Sequence, residues 1–110
     1  PNGPCGYKTG WCYLTTACTS FMGKADDCYE LSRLRWFRDE VLGKTKEGRL
    51  LISEYYRTAP AIVEKIESSR NKKSQYEYIY SKIMACIDMV NSKKYATAIE
   101  IYKGMVESLN

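Results

Sequence analysis

The chain has no histidine among its 110 residues. That absence removes Ser-His and Cys-His catalysis, every His-containing zinc site, and the side chain that most often titrates near neutral pH. Long apolar runs are also missing. A typical run is Ala59-Pro60-Ala61-Ile62-Val63, far short of the roughly 20 residues that cross a bilayer, so no membrane partner is expected. No basic segment followed by an apolar stretch precedes Cys12, so no secretory signal is visible and a cytoplasmic location is expected. The first residue is Pro1 and not Met, and the chain reads as a piece of a longer protein or a processed form.

Concentrated charge of either sign is lacking as well. Lys and Arg number 17 against 13 Asp and Glu, a net charge of +4. The pairs Lys72-Lys73 and Lys93-Lys94 are interleaved with acids, and the densest basic cluster is Arg33, Arg35 and Arg38. Phosphate contacts need a concentrated basic patch, so the sequence argues against a nucleic-acid partner. Ten tyrosines are present, but most fall on apolar stripes, where core and interface roles come first.

What is present fits one folded domain. Hydrophobic residues make up 45% and charged residues 27% of the chain, which is globular and not disordered composition. Residues 1–10 hold two of the three prolines and three of the seven glycines, and read as a linker or extended leader. Residues 11–110 read as a single helical domain.

Apolar spacing predicts an all-α, compact bundle of five or six helices that ends in a long antiparallel helical hairpin. Leu14, Ala17, Cys18, Phe21 and Met22 recur at helical intervals, although three threonines leave a strand open there. Gly23 is a helix stop. Asp27 and Glu30 are spaced as a capping box for a second helix. That helix carries Leu31, Leu34, Phe37, Val41 and Leu42 and ends at Gly43. A polar Lys44–Gly48 loop leads to a third helix with Leu50, Leu51, Ile52, Tyr55 and Tyr56. Pro60 predicts a break near 58–60, with Thr58 as a cap, and a fourth helix follows through Ile62, Val63 and Ile66. The Tyr76–Tyr80 alternation looks like a strand, yet Tyr76, Ile79, Tyr80, Ile83, Cys86, Ile87 and Val90 repeat over four helical turns. Ser92 is placed to cap a last helix bearing Tyr95, Ala98, Ile99, Tyr102, Met105, Val106 and Leu109. A short connection between two long helices makes them antiparallel, as a hairpin over about 72–109.

Five cysteines (Cys5, Cys12, Cys18, Cys28, Cys86) form an odd set, which opposes complete internal pairing. Four of them could bind one metal, pair as disulfides, include a reactive thiol, or simply pack as small hydrophobes. None has the C-x(2–4)-C spacing with which structural zinc sites usually open, so packing is the leading expectation.

The segments Cys12-Tyr13-Leu14-Thr15-Thr16-Ala17-Cys18, Cys28-Tyr29-Glu30-Leu31, Leu34-Arg35-Trp36-Phe37-Arg38-Asp39, Glu54-Tyr55-Tyr56 and Ala59-Pro60-Ala61-Ile62-Val63 carry a likeness. With them the chain resembles the bacterial CFI-box C-terminal domain over about residues 11–67. That pattern opens with C-(F/Y)-(I/L)-x-T-A and continues through L-R-x-F-R-D and Y-Y…P. Cys18 stands where the commoner version has Ala or Gly. The chain is closer to a C-Y-L-T-T-A-C subgroup, whose further cysteines match Cys28 and Cys86. The resemblance implies a small helical module at the C-terminal end of a longer bacterial protein, without established activity. It also strengthens a four-thiolate zinc site of Cys12, Cys18, Cys28 and Cys86.

Arg35 and Asp39 are spaced to pair along the second helix, and Arg38 can lay its stem over the core. A guanidinium clamp for anions is the functional reading of these residues. A structural role for Arg35, Arg38 and Asp39 is the expectation. For catalysis, Cys28 would sit in a helical first turn, but Asp26, Asp27 and Glu30 surround it and no base is in sight. The expected function is therefore a non-catalytic protein-interaction or structural module that docks a partner protein, its parent chain, or a second copy as a homodimer. A zinc-stabilised module and a cysteine-dependent enzyme are the alternatives.

Overall fold

The computed structural model describes residues 10–109, with side chains from Tyr13 onward. Five α-helices follow one another: α1 (Gly10–Phe21), α2 (Tyr29–Glu40), α3 (Lys46–Glu67), α4 (Lys72–Asn91) and α5 (Tyr95–Leu109). A single 3-10 turn (Leu42–Lys44) lies between α2 and α3, and the described residues contain no strand. The fold is all-α. Of the proposed leader, residues 1–10, only Gly10 is described, and it opens α1; the rest lies outside the described residues.

Each helix is cut by local chemistry. After α1 the chain closes a Schellman turn, in which Gly23 N–H bonds Ser20 O at 3.0 Å and Lys24 N–H bonds Thr19 O at 2.9 Å. Gly23 adopts φ +78°, where a side chain would be strained. Thr45 caps α3 by accepting from Gly48 N–H at 2.9 Å, so the expected Lys44–Gly48 loop is mostly first helical turn. Gly48 is required there, because a Cβ would lie 2.0 Å from the carbonyl oxygen of Leu42.

Three expectations need correction. The first is the break at Pro60, for α3 runs through it as one 22-residue helix, the longest in the chain. Proline removes the bond to the carbonyl of Tyr56, but Tyr56 and Pro60 both face solvent, where water can serve that oxygen. On the opposite side Tyr55, Ala59, Ile62 and Ile66 are buried. That burial outweighs a penalty of about 3 kcal/mol. Thr58 accordingly caps nothing, and its hydroxyl is buried without a partner.

The second is the Asp27–Glu30 capping box. Cys28 occupies the N-cap of α2 and makes no side-chain cap bond, while Glu30 is buried. The helix ends at Glu40, before the 3-10 turn, and not at Gly43. Third, Ser92 is not the start of α5 but the C-terminal cap of α4. Lys93 takes the left-handed φ of 61° that ends α4, and α5 begins at Tyr95.

The core gathers one stripe from each helix. It includes Leu14 and Cys18 of α1, Leu34 and Phe37 of α2, Ile62 and Ile66 of α3, Ile79, Ile83 and Ile87 of α4, and Ala98, Tyr102 and Met105 of α5. Helix α1 packs chiefly on α3, and α4 on α5. Ring contacts tie α2 and α3 to α5: Phe37 meets Tyr95 at 5.6 Å and Tyr55 meets Tyr102 at 5.7 Å between centroids. The radius of gyration, 12.8 Å, is that of a compact chain of this length, about 13 Å.

Candidate functional site

The α1–α2 junction holds a buried carboxylate that sequence reasoning assigned to a cap. Glu30 turns inward from the first turn of α2, accepts a short hydrogen bond from the Tyr80 hydroxyl of α4, and pairs with Lys24 Nζ at 3.2 Å. Burial alone would raise its pKa. The bonds from Tyr80, its own backbone N–H and Lys24 outweigh burial and hold it below the ordinary carboxylate value. Tyr80 is shifted upward, first by its bond to Glu30 and then by burial. A signal for Glu30 was available, since Glu30, Leu34, Phe37 and Val41 share one helical stripe.

A second cluster of the same residue types lies one turn away on α4. Tyr76 donates its hydroxyl to Glu67 at 2.6 Å, and Glu67 pairs with Lys72 at 2.7 Å. The Tyr76 ring stacks on Phe21 at 4.7 Å, with Lys72 Nζ 5.7 Å from the Phe21 ring centre. Together the two clusters tie α4 to the first turn of α2 and the end of α3.

Cys18 and Cys86 bond to different carbonyls. Cys18 donates to the carbonyl of Tyr76 at 3.3 Å, and Cys86 to that of Ala98 at 3.5 Å. Cys86 follows Tyr76 by ten residues on α4, about 15 Å along the axis, so Cys18 and Cys86 do not share a site. Cys28 is half-buried at the N-cap of α2, and the side chain of Cys12 lies outside the described residues. Among those residues no group of three or more Cys, Asp or Glu is arranged to hold a metal ion. Burial, helped by the Glu30 charge, pushes the Cys18 thiol up to about 12, and burial alone does the same to Cys86. Such thiols are poor nucleophiles near neutral pH.

Arg35 and Asp39 do not pair with each other. Arg35 instead reaches back to the α1–α2 loop, donating to the Asp26 carbonyl at 2.8 Å and to its carboxylate at 3.0 Å. The loop offers a carbonyl as well as a carboxylate, which an exposed i,i+4 partner does not. Its Nε is buried without a partner. Asp39 takes the fork of the adjacent Arg38 at 2.7 and 3.0 Å.

Large apolar side chains meet solvent at Phe21, Leu50, Tyr56 and Tyr78, and on the outer face of α2 two more stand on one side of a helix. Tyr29 is 55% and Trp36 38% exposed, and Arg33 lies between them on the same helical side. The Arg33 guanidinium carbon sits 4.8 Å from the centre of the Trp36 ring. Its Nε donates to Asn91 Oδ1 at 3.0 Å, and Asn91 Nδ2 donates to the Tyr29 hydroxyl at 2.8 Å. Sequence reasoning named Arg33 only as part of a charge cluster. Tyr29 and Trp36 on the polar side of an amphipathic helix were the available signal.

Depressions also mark the surface of the described residues. A groove of about 440 Å³ is lined by residues including Ile66, Gln75, Tyr78 and Leu109. A hollow of about 130 Å³ lies beside Thr16, Lys24 and Asp26. Among the described residues no helix is long and apolar enough to cross a membrane. No family model, curated protein or solved structure matches the chain.

Proposed function

We propose that the chain is a non-catalytic protein-interaction module, a helical domain of the CFI-box type that docks a partner protein or another part of its parent chain. The observation that carries this reading is the outer face of α2. Two large aromatic side chains stand in solvent there, held by Arg33 and Asn91. Rigid aromatics beside an arginine are the residues that dominate protein interfaces, because they bury much area at little entropic cost. The antiparallel pairing of α4 with α5 as a C-terminal hairpin is part of the same proposal. It is supported by contacts of opposite sense, Cys86 with Ala98 and Tyr78 with Ser108. Such a pair gives the α2 face a rigid backing, since Asn91 belongs to α4.

Site-specific photo-crosslinking tests the reading in cells that express the full parent protein. A photoreactive phenylalanine analogue at position 36 should give a discrete adduct, and the same group at exposed Glu77 should not. An adduct of twice the chain mass would make a second copy the partner. Equal labelling at both positions, or none at either, would remove the proposal.

A further inference from the structure

We infer that the α2 face reads carboxylates: Arg33, oriented by Trp36 and Asn91 and flanked by Tyr29, takes an Asp or Glu side chain of an acidic peptide segment. The inference rests on the interaction-module reading and adds the chemistry of the partner.

The three arginines of α2 differ in what occupies them. Arg35 is bound to Asp26 and Arg38 to Asp39. Arg33 has no carboxylate partner among the described residues, yet its orientation is set twice. Its guanidinium carbon lies over the indole of Trp36, and its Nε is spent on Asn91 Oδ1 at 3.0 Å. What remains are the two Nη groups, the end of the fork that receives both oxygens of a carboxylate. Asn91 fixes a further donor. Because its Nδ2 donates to the Tyr29 oxygen at 2.8 Å, the hydroxyl proton of Tyr29 is left for an outside acceptor. Arg33 and Tyr29 thus converge on one amide group, side by side on one helix face.

The lysines beyond the end of α4 favour an acidic occupant, against the exposed Asp27 before Tyr29. Lys93 and Lys94, two and three residues past Asn91, are exposed. Asp88, one turn before Asn91, is the nearest acid along α4. Glu40, one turn beyond Trp36, sits 4.0 Å from Lys44. The free indole edge and the Tyr29 ring add apolar surface for a residue next to the carboxylate. A nucleic acid suits the face less well. The guanidinium covers one face of the indole on which a base would stack, and a single fixed fork supplies few of the phosphate contacts such binding needs.

Selection of random dodecapeptides displayed on phage, with the full 110-residue chain as bait, tests the inference without naming the ligand beforehand. Recovered peptides should carry Asp or Glu beside an aliphatic or aromatic residue. Binding of a labelled recovered peptide, followed by fluorescence anisotropy, should weaken about tenfold or more in Arg33→Gln, the loss expected for a charge-assisted bond. Arg33→Lys should rescue little, because it keeps the charge and loses the fork. Tyr29→Phe, which removes one hydroxyl and leaves the fold, should weaken binding several-fold. Full binding in Arg33→Lys would overturn the inference. So would peptides without acids, or peptides indifferent to Arg33→Gln, and in both cases the interaction-module reading would stand. A ten-nucleotide uridine oligomer that binds more tightly than every recovered peptide, and is lost in Arg33→Gln, would replace the acidic peptide with nucleic acid. No recovered peptide together with no crosslink at position 36 would remove both proposals.

Discussion

Helix α4 carries two tyrosine–carboxylate–lysine clusters one turn apart, and they differ in where the carboxylate lives. Glu67 is about half exposed, and its lysine, Lys72, follows five residues later. Glu30 is buried, and its tyrosine comes from fifty residues away in sequence. The same three residue types therefore do different work. Around Glu67 solvent screens the charges, and the contact contributes little beyond shaping the α3–α4 loop. Around Glu30 low polarity strengthens each hydrogen bond and makes its loss costly. The difference teaches that a motif of residue types carries no fixed energy, because burial decides it.

The largest effect separates ring from hydroxyl at Tyr76. The side chain is fully buried and stacks on Phe21, and only its tip reaches Glu67. Tyr76→Ala should destabilise by about 3–5 kcal/mol, as for other large buried rings. Tyr76→Phe keeps the ring and should cost no more than about 1.5 kcal/mol, one net hydrogen bond. Chemical denaturation of both variants checks this. Equal losses would mean that the exposed cluster, and not the ring, holds α4.

The next effect comes at alkaline pH. Cys18 and Cys86, ordinarily near 9.0, and Tyr55, ordinarily near 10.0, are each pushed up to about 12, chiefly by burial. Tyr76 is shifted upward as well, by burial and by its bond to Glu67. Over this range the unfolded chain releases protons that the folded chain keeps, so stability falls as pH rises. It is fully present below about pH 9 and declines toward pH 12, by up to about 1.4 kcal/mol per pH unit for each group once its unfolded counterpart is ionised. Urea midpoints measured from pH 8 upward should fall accordingly. A flat alkaline limb would show that these side chains reach solvent.

Smaller, and aimed at the buried cluster, is Glu30→Gln. The amide can still accept from Tyr80 but cannot pair with Lys24, and a loss of about 1–3 kcal/mol is expected. The wild-type carboxylate has a lowered pKa in the folded state. Its contribution is therefore present above the ordinary value near 4.5 and disappears as pH falls through the folded-state pKa. Denaturation midpoints should converge for the two proteins at low pH and diverge toward neutrality. A constant gap across that range would assign the loss to packing alone.

These particulars also show which parts of the fold were legible in the sequence. The inner face of α4 was, because Tyr76, Ile79, Ile83, Cys86, Ile87 and Val90 repeat at helical spacing and are all buried. Local pattern and global fold agree there. Pro60 misled because proline's penalty is local, whereas the burial that overrides it on α3 comes from other helices. Glu30 misled because the capping box explained it with near neighbours, and Tyr80 is invisible to any short window. Arg35 and Asp39 fit the helical pairing rule, yet the loop at Asp26 offered a better acceptor. The outer face of α2 was least legible. Its organising contact, Arg33 with Asn91, joins residues 58 positions apart.

The smallest expected effect is at the exposed carboxylate. Glu67→Gln removes the ion pair with Lys72 and leaves an amide that can still accept from Tyr76. The loss should be the smallest of the series and close to the error of a denaturation midpoint, as for solvent-facing pairs. Salt separates the clusters more sharply than size does. At an ionic strength of about 1 M the screening length shrinks to about 3 Å. The cost of Glu67→Gln should then vanish, while most of the Glu30→Gln cost persists, because Glu30 is shielded from ions by the helices around it. Equal salt sensitivity in the two variants would show that both carboxylates are solvated, and the contrast between the clusters would be lost.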